Sequence, residues 1–445
     1  MTQETTLPRR RALAQATLAE RARYRHLVLD IAWFGVLNGS AIAFVAVYAS
    51  RLGASATQVS VLSALPALVN LSFALPAGRW LQARNDNPQR LQRAVVASAL
   101  LTRGFYLLWA TLPFLFGASL QIWALLLLSG LMSIPGTGLA IGFHALYAAA
   151  IPEEARAAVA GRRNAAYAVT SILATVGCGW LLNSLPFPAG YQVVFALGFA
   201  ASMMSSFHLT RVRLEAPVKR NAGAPVGLAD LAQPGQVRHW AGAWYMVAPA
   251  LRHLVPLNRL VGQLRHLGSF RAVLLQVTLL HAALFLAVPL FPLYTVRVLE
   301  LNDSTIGIGN GLFYLALLLG STQLESIAGS LGHRRTLAAG VILIAFYPGL
   351  LALANGAGLY YLASLVGGSA WALVFGAMGN YALSRMPDTE RPVFISWYNI
   401  ALQGGTLLGA LAASLLAGAL PLASALLVAA AARLAAGIFL WRTRS

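Results

Sequence analysis

The sequence predicts an all-α membrane protein of twelve transmembrane helices, built as two pseudo-symmetric six-helix bundles. Three observations carry this. Of 445 residues 58% are hydrophobic and only 10% charged. Apolar runs long enough to cross hydrocarbon recur from about residue 26 to the end. A phrase near the middle of the first half, "IPEEARAAVAGRRNA" at 151–165, returns as "MPDTERPVFISWYNI" at 386–400. Bilayer hydrocarbon offers no water to a bare peptide group, so each run must form a helix of roughly 20 residues.

The first six spans are expected at 26–50, 57–82, 94–116, 120–149, 159–184 and 189–210, and the second six at 272–298, 304–330, 334–354, 357–384, 392–417 and 419–441. This divides the chain into a basic N-terminal segment (1–25), an N-terminal bundle (26–210), a polar linker (211–271), a C-terminal bundle (272–441) and a tail (442–445). The first 25 residues carry Arg9, Arg10 and Arg11 but no apolar core or cleavage site, so helix 1 is expected to be an uncleaved anchor. In the repeated phrase Pro152 falls on Pro387, Glu153 on Asp388, Arg156 on Arg391, Asn164 on Asn399 and Ala166 on Ala401. "LGASATQV" after helix 1 also pairs with "LNDSTIGI" after helix 7, Leu52 on Leu301 and Ser55 on Ser304. Two matches in the same order, with a linker between, indicate an internal repeat. Within it Pro ends one helix, the acids sit at the positive N-terminal end of the next, and Arg holds the loop at the head groups.

Of the 32 basic residues, Arg51 and Arg297 fall in loops on one side, Arg103 and Arg433 lie within helices, and the other 28 gather on the opposite side. The positive-inside rule makes that side, and both termini, cytoplasmic. The net charge of +19 is thus a topological device that also attracts anionic lipids. Nucleic-acid binding is not expected, since no basic stretch interleaves with aromatics in a soluble domain. In the linker Trp240, Trp244, Met246, Leu251, Leu254, Leu257, Val261 and Leu264 alternate with Arg238, Arg252, Arg259 and Arg265, which suits an interfacial helix broken near Pro256. The single cysteine, Cys178, can form no intrachain disulfide. One Lys among the basic residues and abundant Ala suggest a GC-rich bacterial genome, by association only, and hence a bacterial inner membrane.

The 6+6 layout, the central linker and the loop 8/9 phrase "AGSLGHRRTL" resemble the major facilitator superfamily of secondary transporters. Set on that family's G-x-x-x-D-R-x-G-R-R-x-x-L loop, Gly332, Arg334 and Leu337 match, while Glu325 and Gly329 replace the first Gly and the Asp. Loop 2/3, "AGRWLQARNDNPQRLQR", keeps only Gly78 in register, with Asp86 displaced. Helix 5, "AAYAVTSILATVGCGWLL", lacks the glycine-proline phrase of many drug/proton antiporters. The resemblance implies a substrate site between the halves near the midplane and gating at the inner loops, here Gly78, Arg156, Gly332, Arg334 and Arg391.

Site residues are therefore sought mid-helix. Pro135 breaks helix 4 in "SIPGTG", and the repeat offset sets Trp371 of helix 10 opposite Gly136. The pair is either a substrate platform across a gap or ordinary helix packing. Ionisable groups inside helices are costly and suspect. They are Asp30, about one turn into helix 1, Arg103 deep in helix 3, Glu325 in helix 8, His144 near the inner end of helix 4 and His281 deep in helix 7. His281 or a buried carboxylate could couple protons, or His281 could bond a neighbour neutrally and the acids could form structural ion pairs. Depth suggests that Arg103 meets Asp30, and that Arg433 snorkels to the inner face. Asn38, Asn70, Gln276, Gln323, Tyr398, Asn399 and Gln403 lie on helices that line the cavity in the superfamily. No catalytic triad order, Cys/His cluster or P-loop occurs, so no enzyme, ATP-driven pump, cofactor or metal is expected. The expected function is proton-coupled secondary transport of a small solute by a monomer. A non-transporting membrane scaffold on the same fold is the alternative.

Overall fold

The computed structural model describes residues 17–84, 87–212, 214, 267–268, 270–386 and 391–443. The basic segment before Thr17, the expected linker helix, Asp86, Asp388 and the last two residues lie outside the described residues. The described residues form twelve helices: α1 (Leu18–Arg51), α2 (Ala56–Gln82), α3 (Pro88–Leu115), α4 (Ala118–Ala150), α5 (Glu153–Ser184), α6 (Ala189–Thr210), α7 (Phe270–Arg297), α8 (303–331), α9 (333–352), α10 (Ala357–Leu383), α11 (Arg391–Ala419) and α12 (Leu422–Arg442).

Each boundary has a local cause. Thr17 and Glu20 form a capping box that opens α1 below the expected membrane surface, and Ser55 with Gln58 does the same for α2. Asn87 caps α3 ahead of Pro88 at the first helical position. The expected loop 8/9 shrinks to one residue: α8 and α9 run into each other except at Gly332, whose φ of 76° and ψ of 157° turn the chain. Only glycine tolerates such a φ without strain, which explains why this part of the loop phrase is kept. Helix α7 is interrupted between Ala287 and Leu290, at Val288–Pro289, and α9 is interrupted at Ala345, three residues before Pro348.

Within the N-terminal half α1 packs on α5 and α6, α2 and α3 on α4, and α3 on α6. The C-terminal half repeats the scheme, with α7 on α11 and α12, α8 on α10, and α9 on α12. The halves meet where α5 crosses α8 and α2 crosses α11. At the first crossing a Cβ on Gly179 would lie 3.0 Å from the Cα of Gly307, so two bare glycines let the backbones touch, as close-packed membrane helices require. The end bearing Leu18 and Arg442 is called the terminal side below, and the end bearing Arg51 and Asp303 the latch side.

Candidate functional site

At the centre α1 leaves the α-helical register: Asn38–Ile42 forms a π segment. Such bulges re-aim a side chain at functional sites. Here Asn38 Nδ2 donates to Tyr314 Oη of α8 at 2.7 Å, bridging the two halves. Asn38 lies about 20 Å and Tyr314 about 17 Å from the latch ends of their helices by the helical rise, deep in the membrane. Around this bridge Tyr314 meets Tyr167 of α5 edge-on, with centroids 6.3 Å apart, and Tyr167 stacks with Phe34 at 6.2 Å. The result is an uncharged amide set among aromatic faces.

The bonds that join the halves run from this bridge toward the latch side. Asp303, at the start of α8, receives Arg51 Nε at 2.9 Å and the Tyr191 hydroxyl at 2.8 Å, and forms an ion pair with Arg51 Nη2 at 2.8 Å. Arg51 Nη2 also donates to Leu301 O at 2.9 Å, Arg297 donates to Ala54 O, and the Ser414 hydroxyl donates to Thr57 at 2.8 Å. The two basic residues that broke the positive-inside pattern are therefore both inter-half contacts. Toward the terminal side, exposed polar residues follow on α8 (Ser321, Thr322, Gln323, Glu325), α10 (Asn380) and α11 (Asn399). Exposed polar groups on membrane helices are costly against lipid, which makes these residues candidates for lining an aqueous path.

A second centre lies inside the N-terminal half. Asp30 is buried, and its Oδ1 accepts from the Ser205 hydroxyl at 2.6 Å. Arg163 of α5 lies 3.4 Å from Oδ2, donates to Leu27 O, and sits over the rings of Phe143 and Tyr147 at 4.8 and 5.5 Å. Arg103 Nη2 approaches Oδ1 at 3.8 Å while its Nη1 donates to Ser206 at 2.7 Å. Nearby, the Nδ1 atoms of His26 and His208 lie 3.0 Å apart, within hydrogen-bond distance. The expected Asp30–Arg103 pair is thus seen, with Arg163 as a further partner that sequence reasoning had placed among the surface cations. The signal that could have found it is the aromatic pair Phe143 and Tyr147, one helical turn apart on α4.

The remaining expected residues divide. Thr137 donates to Asn70 Oδ1 at 2.9 Å, and Asn70 Nδ2 donates to Pro66 O at 2.8 Å, which commits that amide to α2–α4 packing. A Cβ on Gly136 would meet Thr102 of α3 at 3.6 Å, so Gly136 faces its own bundle and not Trp371 across a gap. Trp371 and Tyr398 pack on the core of the C-terminal half. His281 Nδ1 lies 3.1 Å from the Thr406 hydroxyl, tying α7 to α11, and Gln276 Oε1 accepts from Tyr381 at 2.7 Å. Asn399 is exposed and bonds Ile395 O at 3.1 Å, while Gln403 is half-buried.

Of the expected gating residues, Arg156 donates to Ile151 O and Ala148 O at 3.1 and 3.0 Å, capping α4, and Arg334 donates to Leu440 O at 3.2 Å at the end of α12. Gly78 faces open space on α2. Arg391 opens α11, and its side chain lies outside the described residues. Arg433 does not snorkel. It is buried in the C-terminal half and donates to Ala283 O, Leu284 O and Ile344 O at 3.3, 2.5 and 3.1 Å. Pro348 has no N–H to offer Ile344 O, so the guanidinium supplies that carbonyl's donor, and at Ala283 O and Leu284 O it adds a donor beside the α7 break at Val288–Pro289.

Solved structures resemble this architecture over nearly its whole length. The nucleoside transporter NupG matches with a TM-score of 0.64 and 10% identity, covering 96% of this chain and 100% of that one. A bacterial homologue of the iron transporter ferroportin, in an inward-facing state, matches at 0.63 and 15%, covering 96% and 100%. The xylose transporter XylE from E. coli, in a partially occluded inward-open conformation, matches at 0.61 and 14%, covering 96% and 98%. At such identities these likenesses show the fold alone. No curated protein sequence matches the chain significantly. The family model described as Major Facilitator Superfamily matches residues 31–277 and 273–445. With two six-helix halves joined at a central amide–tyrosine bridge, the chain belongs to that superfamily of membrane transporters.

Proposed function

We propose that the protein is a secondary active transporter that moves a small solute across a bacterial cytoplasmic membrane by alternating access, coupled to protons. The observation that supports this most is the course of the inter-half bonds, from Asn38–Tyr314 at mid-depth to Arg51–Asp303 at one end. Such an arrangement holds one end shut while leaving the halves free to part at the other. If the terminal side is cytoplasmic, as the distribution of Arg suggests, the state described is inward-facing. Asn38, Tyr167, Tyr314 and Phe34 would then form the roof of the substrate site. Asp30 is already engaged by two guanidiniums and a hydroxyl, and His281 by Thr406, which leaves Glu325, exposed on α8, as the candidate for proton exchange with the cytoplasm.

Ligand-induced thermal stabilisation with a metabolite library would find the solute, because binding to the folded state raises apparent stability. Flux of that solute into proteoliposomes under an imposed pH gradient then tests the function. Asn38→Ala and Tyr314→Phe should each weaken binding. Glu325→Gln should remove the response to the gradient while sparing solute exchange. No solute-dependent flux for any stabilising ligand would refute the transporter reading.

A further inference from the structure

The two halves differ in how they close the seam between their first, fifth and sixth helices. In the N-terminal half the α1/α5/α6 seam is filled by Asp30, Arg163, Ser205 and the His26–His208 pair. In the C-terminal half the matching α7/α11/α12 seam is open. A groove of about 570 Å³ runs along it, walled by apolar side chains and kept wide by Ala282, Gly409, Ala412, Ala435 and Ala436. The register that matches Ser55 to Ser304 sets Leu279, a wall of this groove, at the position of Asp30, and the register that matches Asn164 to Asn399 sets Tyr398 at that of Arg163. Leucine and tyrosine thus stand where the N-terminal half has its carboxylate and its guanidinium.

We propose that this groove binds one acyl chain of an anionic phospholipid from the leaflet on the terminal side. The groove faces outward, beside the exposed Leu275, Leu279, Leu408 and Phe439, so its solvent is lipid and not water. An empty groove would forfeit the dispersion contacts of its walls, so lipid tails fill it. From Gln276 to Leu286 on α7 it spans about 15 Å at the helical rise, half of a hydrocarbon core about 30 Å thick, and hence one leaflet. Its mouth, marked by Gln276 and Leu440, opens toward Arg271 in the first turn of α7 and Arg442 in the last turn of α12, both exposed. Arg334, bonded to Leu440 O, adds a third cation beside it. An apolar slot one leaflet long, ending under guanidiniums, fits a phosphate head group with its tail. The inference is independent of the transported solute and stands or falls separately from it.

The test is native mass spectrometry of the full chain, delipidated in detergent and titrated with phosphatidylglycerol or phosphatidylcholine. An about thirtyfold preference for phosphatidylglycerol is expected, equivalent to about 1 kcal/mol for each of Arg271 and Arg442. Ala435→Phe, at an exposed groove position, should fill the slot and abolish retention of both lipids, with its lipid-free melting temperature reporting that it folds. Arg271→Gln with Arg442→Gln should leave the slot intact and remove most of the preference, down to the few-fold that Arg334 alone supplies, which keeps the proposal testable should Ala435→Phe misfold. Equal retention of the two lipids by the native chain, unchanged retention in a folded Ala435→Phe protein, or a dimer that excludes lipid from the groove would overturn it.

Discussion

The N-terminal half places a carboxylate, two guanidiniums and a pair of imidazoles at the junction of α1, α3, α5 and α6. The C-terminal half places one guanidinium against backbone carbonyls, with the uncharged pairs His281–Thr406 and Gln276–Tyr381 on α7. One fold therefore tolerates two different solutions for ordering its first helix. In the first half Asp30 on α1 is gripped by guanidiniums from α3 and α5. In the second, Pro348 leaves Ile344 O without its helical donor, and a cation from α12 supplies one while also bonding two carbonyls of α7 just before its break. Burying charge costs several kcal/mol per ion unless it is matched, so both solutions depend on complete matching and not on charge itself.

The largest test of this contrast is Asp30→Asn. It leaves two guanidiniums buried without their carboxylate, and a loss of about 3–5 kcal/mol is expected in thermal or denaturant unfolding of the detergent-solubilised protein. Arg163 approaches Asp30 more closely than Arg103 does, and Arg103 Nε meets no acceptor. Double-mutant cycles should therefore give stronger coupling for Asp30→Asn with Arg163→Gln than with Arg103→Gln. The reverse order would mean that Arg103, held in place by Ser206, and not Arg163 is the main partner of the carboxylate.

A smaller effect is expected in the other half. Arg433→Leu removes a buried cation, which relieves desolvation, but strips donors from three carbonyls. The balance predicted is a loss of about 1–3 kcal/mol, read as a lower melting temperature. Arg433→Lys keeps the charge with fewer fixed donors and should recover only part of it. If Arg433→Leu stabilised the protein, the carbonyl freed by Pro348 would need no donor and the comparison drawn above would fail on the C-terminal side.

The membrane architecture was legible because hydropathy reports the hydrocarbon slab directly. The sixth span was expected at 189–210 and is Ala189–Thr210. Where boundaries differ, the helix continues beyond the slab: α5 begins at Glu153 and α1 at Leu18, so hydropathy marked hydrocarbon and not helix ends. Asp30 and Arg103 could be paired from depth alone. Arg163 could not, because one turn inside a basic helix end it looks like any surface cation. Tyr167 and Tyr314 left no trace either, since a mid-helix tyrosine is most often packing, and only the π segment at Asn38 and the fold bring the three together. The glycine at 136 misled for a related reason: a broken helix shows where backbone can open, not which neighbour it opens toward.

The smallest effect concerns the latch, which joins the halves and is independent of either interior. Arg51 and Asp303 retain 25% and 11% side-chain exposure, so water screens their pair and a contribution of about 1 kcal/mol is appropriate despite the 2.8 Å separation. Asp303→Asn removes the charge while keeping an oxygen that Tyr191 can still reach. Because the latch forms only when this end is shut, its loss should change the balance of conformations more than the stability of the fold. About 1 kcal/mol corresponds to an about fivefold rise in the ratio of latch-open to latch-closed molecules. The single buried cysteine, Cys178, permits a clean background for labelling once replaced. Spin labels at Leu120→Cys and Val298→Cys, exposed positions at this end of the two halves, would report that ratio as the weight of the longer distance. Arg51→Gln should give the same shift, and combining it with Asp303→Asn should add little, since each alone already breaks the pair. An unchanged distance distribution in all three proteins would instead mean that the contact of Gly179 with Gly307 holds this end shut by close packing, with the ion pair following and not setting the closure.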